Sequence, residues 1–221
     1  MTNIELFVAS LCPFAARARL TLAEKQLIAT EVEIDLRRRP DWFLQISPHG
    51  KVPLLRHDGR LVWQSAVIAE YLEETFPAHP LLPQQAERRA AARAWVSFVD
   101  ARLYAKTEAL LHSFDQSLYV RLAAQLSDDL HVLEEQALAG QTDDSPYLLG
   151  AEFGLADIAL YPWFEQVAVL ERFRGFRFPK DCTRLIAWHR AVARRDTVRA
   201  VGRPPEFYLD AYARLQKQLA G

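Results

Sequence analysis

The sequence is poor in cysteine: it has two among 221 residues, Cys12 and Cys182, far apart in the chain. Small secreted domains are held by several closely spaced disulfides, so this count excludes a disulfide framework and favours a reducing, cytoplasmic environment. The first residues form neither a basic nor an apolar stretch, and we expect no secretory signal.

Long apolar runs and a strong net charge are also lacking. The most apolar stretch, residues 155–170, is interrupted by Asp157, Pro162 and Glu165 and is shorter than the roughly 20 apolar residues of a membrane-spanning helix. We predict a buried helix there and no membrane partner. The formal net charge of −1 gives no indication of a nucleic-acid partner. The six histidines are dispersed without the spacing of metal ligands, so we predict no metal site and interpret Cys182 as structural.

Half of the residues are hydrophobic, which is enough to bury a core, and their period changes along the chain. In the first 80 residues, strands are predicted at 4–8, 30–36, 52–56 and 60–63, and helices at 13–26, 40–46 and, after a capping Ser65, up to residue 76. The resulting order is βαβαββα, with a hairpin turn at residues 57–59. In the first helix, Arg17 and Arg19 fall largely off the apolar face.

Beyond this α/β domain the strand signals nearly vanish. Three prolines between residues 77 and 83 indicate a linker, and we divide the chain into a domain at 1–78, a linker at 79–85 and an all-helical domain at 86–221. Helices are predicted at 84–114, 118–138, 155–170, 183–194 and 206–219.

Cys12 is the first candidate for chemistry. It follows a predicted strand and precedes Pro13, a residue that suits the first position of a helix. Backbone N–H groups and the positive end of the helix dipole converge there, so we expect a thiol pKa below the free value of about 8.5. Arg17 adds positive charge if it folds back. The alternative is a small buried hydrophobic residue, which free cysteines often are. Without a C-x-x-C pair, a disulfide on Cys12 needs an external thiol to resolve it.

Two further motifs surround this cysteine in the sequence. Pro53 begins a strand after a glycine-containing loop, and in that context we predict a cis Val52–Pro53 bond that leaves the Val52 backbone free to pair with an extended peptide. Gln64 and Ser65 precede the third helix, where a hydroxyl and backbone N–H groups can hold a carboxylate. A plain N-cap serine is the alternative.

These motifs together resemble those of the cytosolic glutathione transferases, over essentially the whole chain. They are Ser-Leu-Cys-Pro-Phe at 10–14, Gly-Lys-Val-Pro at 50–53, Gln-Ser at 64–65 and Gly-Leu-Ala-Asp-Ile at 154–158. The Cys-Pro-Phe sequence is most similar to bacterial members of the cysteine type, which are omega-like or dehydroascorbate-reductase-like. Two positions depart from the family pattern: Gln64 replaces the usual Glu, and Gly154 replaces a Ser or Thr.

The resemblance implies a thioredoxin-like domain followed by a helical domain, glutathione as co-substrate and a homodimer. It also implies a role for each matching residue. Cys12 would form a mixed disulfide with glutathione, with Ser10 as the second choice of catalytic residue. Glutathione would contact Phe14 near the thiol, the backbone of Val52 before Pro53, Gln64 and Ser65 at its γ-glutamyl end, and Arg39 and Lys51 at its glycine carboxylate.

Three functions remain open at this point. In the first, a thiol transferase or reductase, Cys12 attacks a disulfide substrate and free glutathione resolves the intermediate. In the second, the protein activates glutathione's own thiol for conjugation to a small electrophile, assisted by Ser10 or Cys12. In the third, the fold is a non-catalytic partner-binding module, like the stringent starvation proteins. The sequence does not identify the second substrate.

Overall fold

A computed structural model describes residues 3–113 and 115–220, so that Phe114, the last residue of one predicted helix, lies outside the described residues. The chain divides into two compact units, one that ends at Leu82 and one that begins at Pro83.

The first unit has the predicted order of elements. They are β1 (Ile4–Val8), α1 (Pro13–Glu24), β2 (Thr30–Glu33), α2 (Asp41–Ile46), β3 (Leu54–His57), β4 (Arg60–Trp63) and α3 (Ser65–Thr75). The strands form one mixed sheet in the order β2-β1-β3-β4, in which β1 and β2 are parallel and the other two pairs are antiparallel. This is the thioredoxin-like arrangement that the family resemblance implies.

Element boundaries differ from the prediction for local reasons. β3 begins at Leu54 rather than at Val52, because Pro53 has no N–H to give to a neighbouring strand. β2 ends at Glu33, since the carboxylate of Asp35 accepts the N–H of Arg37 and turns the chain out of the sheet.

The two faces of the sheet carry separate hydrophobic clusters, because successive strand residues point to opposite sides. One cluster joins β1 and β3 to α1 and α3, with Ile4, Leu6, Val8, Ala15, Ala18, Leu22, Leu55, Ile68 and Leu72. The other joins the sheet to α2 and the loop before β3, with Phe7, Ala9, Ile34, Phe43, Val52 and Leu54. Cys12 packs against both clusters, since it follows β1, an inner strand with residues on both faces of the sheet.

A buried ion pair binds the last residues of the first unit to its helices. The ammonium of Lys25, with no exposed side-chain surface, lies 2.6 Å from a carboxylate oxygen of Glu73 and 3.2 Å from the carbonyl of His79. The other oxygen of Glu73 accepts the backbone N–H groups of Leu81 and Leu82 at 2.9 and 3.0 Å. These bonds hold residues 79–82, part of the predicted linker, against α1 and α3.

The second unit is helical, as predicted. Its elements are α4 (Ala86–Phe98), a π-helical segment (Val99–Tyr104), α5 (Ala105–His112), α6 (Gln116–Val132), a second π-helical segment (Leu133–Ala137), α7 (Leu155–Arg174), α8 (Thr183–Ala193), α9 (Asp196–Val201) and α10 (Pro205–Ala220). The sequence analysis missed α9, because six residues are too few to show a helical period. No helix in the described part of the chain is long and apolar enough to cross a membrane.

The apolar stretch at 155–170 is the buried helix that the sequence predicts, and Asp157 anchors its first turn. One oxygen of this fully buried carboxylate accepts the N–H of Gly154 at 3.0 Å, as expected. The other accepts the N–H of Leu148 at 2.9 Å and the indole N–H of Trp188 at 2.7 Å. Asp157 therefore joins the loop before α7 to α8.

Burial raises the pKa of Asp157 to about 6 despite these three donors, and this gives a testable pH dependence. The folded state holds this proton more tightly than the unfolded state, so the contribution of Asp157 to stability is expected to fall by about 2–3 kcal/mol as the pH rises from about 4 to about 6. Asp157→Asn should flatten this slope, measured by urea unfolding at several pH values, while the exposed Asp128→Asn should leave it in place. An unchanged slope in Asp157→Asn would contradict the assignment.

Candidate active site

Cys12 occupies the N-cap of α1, the position predicted from Pro13. Its backbone is extended, with φ −81° and ψ 115°, and Pro13 takes the first helical position. The Cys12 N–H donates to the carbonyl of Ala9 at 2.9 Å, and the Cys12 carbonyl accepts the N–H of Ala16 at 3.1 Å. These bonds fix the half-buried thiol at the start of the helix.

The thiol meets the second sequence motif directly. The Val52–Pro53 peptide bond is cis, as predicted. The sulfur of Cys12 lies 3.7 Å from the carbonyl oxygen of Val52, to which the S–H group donates. The structure thus joins two motifs that lie forty positions apart in the sequence.

The expected lowering of the Cys12 pKa is wrong for this structure. Burial against the two hydrophobic clusters raises the pKa of the Cys12 thiol, and this effect is larger than the rest. The backbone N–H groups of Ala15 and Phe14, then the charges of Arg19 and Arg17, act in the predicted direction without reversing it. The sequence shows the helix terminus and the charges, but not the apolar packing around the sulfur.

Arg17 and Arg19 lie outside the apolar face of α1, as predicted, but they are nevertheless buried, at 2% and 8% exposure. Arg17 extends toward α3, where its guanidinium donates to the hydroxyl of Ser65 at 3.4 Å and lies 5.1 Å from the ring centre of Phe14. Arg19 turns toward β2 and binds the carboxylate of Glu31 at 2.8 Å. Two positive charges therefore lie on the helix that begins at Cys12.

The start of α3 differs from the prediction by one residue. Gln64, rather than Ser65, is the N-cap, and its carbonyl accepts the N–H of Ile68 at 2.8 Å. Gln64 has φ 70° and ψ 120°, a backbone conformation that residues with a side chain rarely adopt. Ser65 is buried in the first turn, and its hydroxyl contacts Arg17.

The loop before Val52 packs against the side chain of Arg39 at Gly50. Gly50 has φ +58°, and a Cβ atom there would lie 3.0 Å from Leu44 Cδ2 and 3.5 Å from Arg39 Cδ. The hydroxyl of Ser47 accepts the N–H of Lys51 at 3.1 Å and fixes this turn. Both Arg39 and Lys51 are exposed cations and can bind a carboxylate.

Ser10 lies on the turn between β1 and Cys12. Its backbone N–H donates to the carboxylate of Glu33 at 2.7 Å, and Glu33 also lies 4.0 Å from the guanidinium of Arg19. The predicted site residues therefore fall into contact groups. Cys12 contacts Val52. Arg17 contacts both Phe14 and Ser65 and so links them. Arg39 packs beside the loop that contains Lys51.

A thioredoxin-like sheet with a cis-proline before β3, followed by a unit of helices, is the fold of the glutathione transferases. Models of the N-terminal and C-terminal domains of glutathione S-transferases match residues 6–80 and 94–191. The chain therefore belongs to the glutathione S-transferase family, which takes its name from its co-substrate.

Similar proteins support the family over most of the chain. A probable glutathione S-transferase, parC, of Nicotiana tabacum is 31% identical over 90% of this chain and 89% of its own length. A probable glutathione S-transferase DHAR1, cytosolic, of Oryza sativa subsp. japonica is 33% identical over 84% and 81%. Rice GST1, solved in complex with glutathione, is 32% identical with a TM-score of 0.86 over 98% and 97%. Glutathione transferase Omega 3C of Trametes versicolor is 26% identical with a TM-score of 0.82 over 99% and 92%.

Proposed function

We propose that this glutathione S-transferase is a cysteine-dependent thiol transferase or reductase. The observation that carries the proposal is the thiol of Cys12 at the N-cap of α1, beside the carbonyl of Val52 in the cis-proline loop. The similarity to the rice protein named DHAR1 and to an Omega enzyme supports the same reaction type.

In the proposed reaction, the thiolate of Cys12 attacks the glutathione sulfur of a mixed disulfide. The substrate's sulfur leaves with the bonding electron pair and takes up a proton, and Cys12 remains linked to glutathione. A second glutathione thiolate then attacks the bound glutathione sulfur, which releases glutathione disulfide and restores Cys12. One disulfide is consumed and one is formed, so the cycle needs no other oxidant or reductant.

The surrounding residues suit a bound glutathione. The backbone of Val52 pairs with the cysteinyl unit as an added strand before Pro53. Gln64 and Ser65 hold the γ-glutamyl end at the N-terminus of α3, where backbone N–H groups favour a carboxylate. Arg39 and Lys51 attract the glycine carboxylate. Phe14 lies at the start of α1, two positions after the thiol.

Conjugation is the second candidate, and one observation favours it. Because burial raises the pKa of Cys12, the ligand-free protein holds this group mainly as a thiol at neutral pH. In conjugation the nucleophile is glutathione's own thiolate, which attacks a small electrophile. Ser10 or Cys12 then serves only as a hydrogen-bond donor to it.

The proposal includes the setting of the reaction. We place it in the cytoplasm, in line with the two free cysteines and with the cytosolic relative from rice. A two-fold homodimer is proposed from the family resemblance, and a closed two-fold interface is the commonest oligomer. The substrates are glutathione and a small disulfide or electrophile.

Intact-mass analysis after exposure to glutathione disulfide tests the proposal. We expect one glutathione adduct on the reduced protein and on Cys182→Ala, because Cys182 is fully buried, and none on Cys12→Ala. Binding of glutathione without an adduct would favour conjugation. Neither binding nor adduct would favour the partner-binding function.

A further inference from the structure

Three side chains of types that can bind a metal ion lie together in the helical unit. His131 is in the last turn of α6, and Asp181 and Cys182 end the loop before α8. One nitrogen of His131, one oxygen of Asp181 and the sulfur of Cys182 all lie within 4.8 Å of one another. These three atoms are an imidazole, a carboxylate and a thiol, the three ligand types that zinc combines.

The imidazole is already oriented as a metal ligand would be. Its Nδ1 lies 2.8 Å from the backbone carbonyl of Ser127, to which it donates, so Nε2 faces the cluster. Nε2 lies 2.9 Å from Asp181 Oδ2. A proton on Nε2 makes this contact an ion pair, and a cation bound between the two atoms would take the place of that proton.

A zinc ion would require the three ligand atoms, now within 4.8 Å of one another, to adjust their spacing. Zinc lies about 2.0–2.3 Å from nitrogen, oxygen and sulfur ligands, so tetrahedral ligand atoms are about 3.2–3.8 Å apart. The carboxylate of Asp181 is 74% exposed and is free to move away from His131 toward this spacing. His131 is 37% exposed, so solvent reaches the cluster from the side of His131 and Asp181 and can supply a water as the fourth ligand, while Cys182 closes the buried side.

The charges around Cys182 also favour a cation. Glu134 and Glu135 lie in the π-helical segment after α6, which packs against α8. Glu134 is buried and accepts the backbone N–H groups of Arg184 and Leu185 at 2.9 and 2.8 Å, which keeps this carboxylate beside the start of α8.

We propose that His131, Asp181 and Cys182 form a zinc site with water as the fourth ligand, which joins the end of α6 to the start of α8. Zinc displaces the thiol proton of Cys182, which goes to solvent, and binds the resulting thiolate. The prediction of no metal site rested on spacing in the sequence, and His131 and Asp181 are fifty positions apart.

Cobalt(II), which replaces zinc and has a visible spectrum, is the probe for the test. It is added to the reduced, tag-free full chain of Cys12→Ser, so that any thiolate-to-cobalt absorption must come from Cys182. We expect one equivalent to bind with this absorption and zinc to displace it. Cys12→Ser/Cys182→Ser should lose the absorption, and His131→Ala in the Cys12→Ser background should weaken binding at least about tenfold.

The variants at His131 and Asp181 should fold normally, because these side chains are partly or largely exposed and their replacement removes no buried side chain. A loss of cobalt binding in them therefore reports on the site and not on unfolding. Asp181→Asn is the second surface variant and should also weaken cobalt binding. No thiolate-to-cobalt absorption in the Cys12→Ser protein would overturn the proposal. Cobalt affinity unchanged by His131→Ala and Asp181→Asn would overturn it as well, and would leave His131 and Asp181 as an ion pair only.

Discussion

Cys12→Ala is expected to lose glutathione-dependent disulfide reduction, with a fall in kcat/KM of at least about a thousandfold. The reason is that the variant lacks the sulfur that forms the mixed disulfide, and no second cysteine follows it at C-x-x-C spacing. The measurement is the rate of reduction of a small glutathione mixed disulfide, with the glutathione disulfide that forms recycled by an auxiliary reductase.

Two comparisons make this result specific. Cys182→Ala removes the other cysteine, which is buried in the second unit, and should retain the rate. Glutathione binding should remain in Cys12→Ala, because the backbone of Val52 and the start of α3 are unchanged. Turnover that persists in Cys12→Ala would show that the reaction does not pass through Cys12 and would transfer support to conjugation.

Lys25→Met is expected to lower the free energy of unfolding by about 3–5 kcal/mol. The variant keeps a long apolar side chain but leaves Glu73, whose side chain is 12% exposed, without the ammonium that lies 2.6 Å from it. Glu73 would still accept the N–H groups of Leu81 and Leu82. Urea unfolding followed by far-ultraviolet circular dichroism measures the loss.

The control for Lys25 is a more exposed ion pair in the same unit. Arg56 binds Glu5 through two nitrogens, with side-chain exposures of 37% and 21%, so Arg56→Met should cost about 1 kcal/mol or less. Lys25→Met/Glu73→Gln should recover part of the loss, since it removes the uncompensated charge and keeps an acceptor. If Lys25→Met and Arg56→Met lowered the free energy of unfolding equally, burial would not be what makes the Lys25–Glu73 pair important.

The fold was predictable from the sequence because its signals are local. Hydrophobic period, Pro13 and the prolines at 77–83 give the order βαβαββα and the change to helices, and the structure confirms both. Boundaries were less predictable where a single hydrogen bond decides them. Asp35 ends β2 early, and the carbonyl of Gln64 accepts the first helical bond of α3 in place of that of Ser65.

The candidate site was predictable only in part. Cys12 and Val52 are brought together by the sheet, and the family resemblance alone paired them in advance. The burial of Arg17 and Arg19, and the raised pKa of Cys12, depend on tertiary packing on both sides of the sheet, which a hydrophobic period on one helix does not report. For the same reason, spacing along the chain could not show that His131 approaches Cys182.

The backbone of Gln64 has a consequence for how this protein tolerates mutation. A non-glycine residue at φ 70° and ψ 120° costs about 1–3 kcal/mol, which glycine at the same position would largely avoid. Selection for thermal stability alone would therefore replace Gln64 by glycine. The side chain that such a replacement discards is the one proposed to hold the γ-glutamyl end of glutathione. Variants selected only for stability should therefore carry glycine at position 64, whereas variants selected for catalysis should keep glutamine there.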